Sequence, residues 1–136
     1  DTLKKATPQS FKAFMNTDPE SFEMVMAFVL APLTTLEKAS FDIYLADPAG
    51  AAKDFGEGAG SSEVQIIQME KIGDSSVGLT FTSGEGDFVL RADVVISRNK
   101  NAVVVTMVFY LDGKTPPFTV QQAAEIMNQR VGDAQK

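Results

Sequence analysis

Cysteine and histidine are both missing from this 136-residue chain. Their absence removes disulfides, thiolate and imidazole metal ligands, and every Cys–His or Ser–His–Asp nucleophile at once. Basic runs are missing too, the longest being the pair Lys4-Lys5, while 18 acidic residues face 12 basic ones for a formal charge of −6. Phosphate backbones and anionic lipid bind mainly through cations that release condensed counterions, so nucleic acid is not an expected partner. No apolar stretch reaches the roughly 18–20 residues a membrane-spanning helix needs. The longest, Met24 to Leu33, is about half that and contains Pro32.

What remains has the balance of a globular domain, with 44% apolar and 22% charged residues, enough to close a core over one sheet. One domain is expected over 1–136, of class α+β. It divides into a mainly helical part over 1–56, an antiparallel β-meander of about four strands over 63–111, and a C-terminal helix over 117–132. The chain opens on Asp1 rather than Met. That start suggests a removed signal peptide or lipid anchor, or a trimmed linker.

Thr7-Pro8, Asp18-Pro19 and Asp47-Pro48 each set a capping side chain before a proline, the pattern of a helix start. Phe22, Val25, Met26 and Val29 then fall at i, i+3, i+4 and i+7, which predicts a helix over 19–31; a buried strand at Phe22 to Leu30 is the alternative. Thr34 with Glu37 reads as a capping box. The helix it opens carries Leu36, Ala39, Ile43 and Ala46 as its apolar stripe, with a strand at Phe41 to Leu45 as the alternative. Gly56, Gly58 and Gly60 with two serines mark a loop.

Beyond that loop the period becomes two. Glu63 to Lys71 reads as a strand with a bulge near Ile66-Ile67. Val77, Leu79 and Phe81 alternate with small or polar residues, and Phe88, Leu90, Ala92, Val94 and Ile96 repeat the alternation across a hairpin. Asn99-Lys100 closes the next hairpin, because asparagine tolerates the left-handed conformation. Ala102 to Leu111 is apolar on both faces and is expected to be central. Thr119 with Gln122 caps the last helix, whose buried stripe is Val120, Ala123, Ala124, Met127 and Val131, with Gly132 as its stop.

Few motifs carry chemistry. Gly56-Glu57-Gly58-Ala59-Gly60-Ser61 lacks the last glycine and the flanking strand and helix of a dinucleotide loop. Gly73-Asp74-Ser75-Ser76 has no histidine base to activate a serine. It reads as a turn in which Asp74 and Ser75 accept backbone hydrogen bonds. Asp47, Asp54 and Glu57, or Glu85 and Asp87, lack the spacing of a calcium loop. No catalytic, cofactor or metal residue is nominated. The residues best suited to line a cavity for a hydrophobic ligand are Phe22, Met26, Phe28, Phe81, Phe88, Met107, Phe109 and Met127, although such residues more often make the core.

The segments Lys71 to Gly78 and Leu90 to Arg98, followed by the last helix, resemble bacterial extracytoplasmic lipoprotein and sensor ectodomains of PsbP-like type. There a Gly-Asp turn with small hydroxyl residues leads into a strand pair, a valine-rich strand and a C-terminal helix after a proline. The resemblance covers roughly 71–131. It implies an envelope location and a binding role, and carries no catalytic residue across. The expectation is thus a non-enzymatic extracytoplasmic domain that binds a protein or small ligand on the sheet or in a cleft beside it. Its rivals are a carrier of hydrophobic ligand, a carboxylate-dependent hydrolase, and a module whose exposed edge strand pairs with a partner. The cytoplasm is the alternative location.

Overall fold

The computed structural model describes residues 8–16, 22–60, 63–86, 88–116 and 118–135. Six strands form one antiparallel sheet: β1 (Pro8–Asn16), β2 (Glu23–Leu30), β3 (Gln65–Ile67), β4 (Ser75–Glu85), β5 (Phe88–Asn99) and β6 (Ala102–Leu111). Their spatial order is β1-β2-β6-β5-β4-β3. The described residues also form three helices, α1 (Thr35–Leu45), α2 (Pro48–Ala59) and α3 (Val120–Ala134). The class is α+β, as expected, with two more strands than the meander alone supplies.

The two-sided apolar character of β6 has its cause in this order. It lies between β2 and β5, with helices on both faces of the sheet. On one face, α1 lies over β4 and β5 and α2 over β3 and β4. There Val77, Leu79, Phe81, Ala92, Val94, Ile96 and Val103 pack with Leu45, Ala51 and Ala52. On the other, Val95 and Val108 meet Val120, Ala123 and Ala124 of α3, while Val29 and Val104 meet Val131. Alternation along β4 and β5 therefore sorts side chains between two cores rather than between core and water.

The predicted helix over 19–31 is overturned: residues 23–30 are strand β2, and Asp18-Pro19 lies outside the described residues. A nearly continuous apolar run contains both periodicities, so the i, i+3, i+4, i+7 match selects nothing. Pairing does, because all eight residues of β2 face β6 in register, from Glu23↔Tyr110 to Leu30↔Val103. Pro8 opens edge strand β1, not a helix. A missing N–H costs little at the first residue of an edge strand.

The Thr34–Glu37 capping box and the Asp47-Pro48 start are both present. The buried face of α1 is not the one predicted. Leu36 and Ile43 are 77% and 75% exposed, whereas Leu45 is buried and Phe41 and Tyr44 pack against the core. The helix offered an aliphatic face and an aromatic one, and packing chose the aromatic face, which buries more area. The glycine-rich loop is instead the C-terminal half of α2, ended by Gly60 in the left-handed conformation (φ 71°). Each helical glycine costs about 1 kcal/mol, and burial of Ala51, Ala52 and Phe55 offsets this.

Three boundaries also shift. The strand expected over Glu63 to Lys71 shrinks to Gln65–Ile67. The β5–β6 turn is Lys100-Asn101, with the left-handed residue at Lys100 (φ 54°) and Asn99 still paired with Ala102. Gly132 lies inside α3, whose cap is Gln135. The capping box of Thr119 and Gln122 and the stripe of α3 are as predicted, with Met127 half-buried.

Candidate functional site

Sheet parity locates the eight residues proposed for a hydrophobic cavity. Met26 pairs with Met107, Met24 with Phe109, and Phe28 with Val105, so these side chains share the face that α1 and α2 partly cover. All six are half-buried. Phe81 lies on the same face in the core, its ring 5.5 Å from that of Phe55. Phe88 stands at the β4–β5 hairpin end, largely exposed, and Phe22 precedes β2. Met127 packs on the opposite face, beside Val29 and Val104. The eight do not converge; four of them contribute to an open apolar patch on β2 and β6.

Two concavities lie elsewhere, along the β3 edge. One, of about 650 Å³, runs between α2 and β3, lined by Ala49, Ala52, Lys53, Gly56, Glu57, Val64, Gln65 and Ile66. A second, of about 610 Å³, continues past the α1–α2 junction toward Met69, Lys71 and Ser75. Both include Ala49 and Ile66, so they form one groove. Ala49, Ala52 and Gly56 fall at i, i+3 and i+7 of α2, and their small side chains leave the space open. The sequence reading missed these residues. Their signal is the Ala/Gly spacing, visible only once 48–59 is recognised as helix.

Polar side chains near the groove are committed to holding the fold. Arg98 of β5 grips Asp42 of α1 with two bonds, Nε to Oδ1 at 2.6 Å and Nη2 to Oδ2 at 3.0 Å. Its Nη1 donates to Asp74 Oδ2 at 3.3 Å and to the Lys100 carbonyl at 2.7 Å. Asp74 accepts a backbone bond as expected, from the Lys100 N–H at 2.8 Å. Ser75 does not; its hydroxyl donates to Asp42 Oδ1 at 2.9 Å, and Ser76 accepts the Ile72 N–H instead. The hydrogen bond from Arg98 holds the Asp42 carboxyl below its usual range. A carboxylate so stabilised is a poor base for the Ser75 proton.

A second network lies on the α3 face. Asp93 accepts from Thr80 Oγ1 at 2.7 Å and from the Tyr110 hydroxyl at 2.8 Å. Arg91 joins Thr80 to Asp112. Burial, and then the Asp93 hydrogen bond, push the Tyr110 phenol up to about 12, so it remains a donor. Among the described residues no three acidic side chains gather as metal ligands. Asp47, named above for such a cluster, is spent capping α2 through the Gly50 N–H at 3.1 Å.

Glu23, opposite Tyr110, is only 3% exposed. Burial raises its pKa above the ordinary 4.5, against a lowering hydrogen bond from the Phe118 backbone, and Oε2 has no hydrogen-bond partner among the described residues. A raised folded-state pKa stabilises the fold below the unfolded value and loses that contribution as pH rises through the folded value. Glu23→Gln is therefore expected to gain about 1 kcal/mol at pH 8 and to match the parent at pH 4. Denaturant unfolding at the two pH values checks this; an equal effect at both refutes it.

The sequence matches no known family model and no curated protein.

Proposed function

We propose that this chain is a non-catalytic binding domain whose ligand site is the groove between α2 and β3. The observation that carries the proposal is the continuity of two concavities of about 650 and 610 Å³ through Ala49 and Ile66. Binding sites are characteristically concave and mostly apolar, with a few polar groups that orient the ligand. The groove offers Val64, Ile66 and Met69 as apolar contacts, with Lys53, Gln65 and Lys71 as orienting groups. The nearest acid and hydroxyl pair, Asp42 and Ser75, is engaged by Arg98 and by itself, an arrangement suited to holding the walls in place.

The test uses a fragment library and amide shifts of the isotope-labelled chain. Fragments are expected to shift amides in residues 49–57 and 64–78 together. Ala49 is exposed and lines both parts of the groove, so Ala49→Phe fills it without entering the core. That variant is expected to weaken fragment binding at least about tenfold, roughly 1.4 kcal/mol, with unchanged thermal stability. Shifts that cluster elsewhere, or binding indifferent to the substitution, refute the proposal.

A further inference from the structure

We infer that the occupant of this groove is an extended, uncharged peptide segment that adds to β3 as a seventh strand. The inference rests on the binding reading above and narrows its ligand class.

β3 ends the sheet order and pairs on one side only, with Gly78 to Thr80 of β4. Its outer side therefore presents main-chain donors and acceptors with no ladder partner among the described residues. Sheet edges are ordinarily protected by brevity, charge, proline or a bulge. The opposite edge, β1, has both Pro8 and Lys12 in its sequence. Gln65-Ile66-Ile67 is short but has neither a charge nor a proline, and Ile66 is 40% exposed. The edge without charge or proline is the one beside the groove.

Only an extended backbone satisfies both features. A strand laid along β3 matches its free N–H and C=O groups and turns every second side chain toward α2. There Ala49, Ala52 and Gly56 leave room for larger apolar groups. A helix or a compact small molecule would fill the space and leave the edge unmatched. Charge agrees with this choice: Lys53 and Lys71 cancel Asp47 and Glu57 along the lining, on a chain of net charge −6. The complement of a neutral lining is a segment without charge at its inward positions.

The probe is a phage-displayed library of random ten-residue peptides selected on the intact chain, with the most enriched peptide then synthesised in two N-methylated forms. Enriched sequences are expected to alternate apolar and polar residues. N-methylation at the set of alternate residues that bonds β3 is expected to weaken binding at least tenfold, and the other set to change it under threefold. The amides among residues 65–67 that face away from β4 should gain protection from hydrogen exchange. Equal binding of both N-methylated forms, no gain in protection at those outward amides, or no enrichment over Ala49→Phe each overturn the inference. If fragments still occupy the groove in those cases, the peptide inference alone falls. If they do not, the binding reading falls with it.

Discussion

Replacing Arg98 by alanine is expected to remove about 2–3 kcal/mol of stability, lowering the melting temperature by roughly 6–12 °C for a chain of this length. The loss lies between two limits. An exposed ion pair contributes under about 1 kcal/mol, while breaking a buried one costs about 3–5. Arg98 is 14% exposed but Asp42 is 42% exposed, so desolvation is strong on one partner only. Four donor contacts disappear together, including the one to the Lys100 carbonyl that shapes the β5–β6 turn. Arg98→Lys should recover less than half, because an ammonium has no planar fork for two carboxylate oxygens. Arg91→Ala is the contrast, since Arg91 and Asp112 are 30% and 39% exposed and under about 1 kcal/mol is expected.

The same pair sets a pH dependence of opposite sign to that of Glu23. Asp42 has a lowered pKa, chiefly through its hydrogen bond from Arg98. Its stabilisation is present above the ordinary carboxylate value and is lost as pH falls through the folded one. The gap between parent and Arg98→Ala should therefore narrow as pH falls below the ordinary carboxylate range, down to the share of the Lys100 carbonyl bond, which does not titrate. A constant gap from pH 7 to pH 2, or a loss under about 0.5 kcal/mol at pH 7, contradicts the clamp.

Legibility in the sequence followed how local each determinant was. The Thr34 and Thr119 capping boxes and the Asp47-Pro48 start depend on residues three apart, and all appear where the pattern placed them. The strand pair Val77–Phe81 and Ala92–Ile96 showed itself by alternation, and the central place of β6 by apolarity on both faces. β2 was misread because Met24 to Leu30 is apolar at every step; pairing with β1 and with β6, the latter about eighty residues away in sequence, decides its conformation. The exposed stripe of Leu36 and Ile43 was misread for a related reason. Which face of α1 is buried depends on the sheet beneath it, where Asp42 is gripped by Arg98, 56 residues further on. The groove's local signal, the Ala49, Ala52 and Gly56 spacing, was hidden because the glycines read as a loop rather than as the end of a helix. Its other wall, β3, is set against α2 only by pairing with β4, whereas the Phe and Met residues proposed for a cavity were distributed by strand parity onto two faces.

Gly73→Ala is expected to cost about 3–4 kcal/mol, the largest effect of any single methyl group proposed for this fold. Part of the cost is conformational, because Gly73 has φ +68° and a Cβ there is disfavoured by about 1–2 kcal/mol. The rest is steric. A Cβ at Gly73 would lie 2.5 Å from the Arg98 carbonyl oxygen and 2.8 Å from Asn128 Oδ1. The first contact is with rigid backbone, whose Arg98 carbonyl accepts the Asp74 N–H at 2.8 Å, so relief requires moving the turn away from β5. Gly60→Ala isolates the conformational share: φ is +71° and nothing lies within 4 Å of the added carbon, so about 1 kcal/mol is expected. Denaturant unfolding of the two variants measures the difference directly. A loss at Gly73 no greater than that at Gly60 would show that the turn yields. A difference of about 2 kcal/mol would show that the 73–76 turn is a fixed joint, tied to α1 through Ser75 and Asp42, and so holding rigid the floor on which the groove is built.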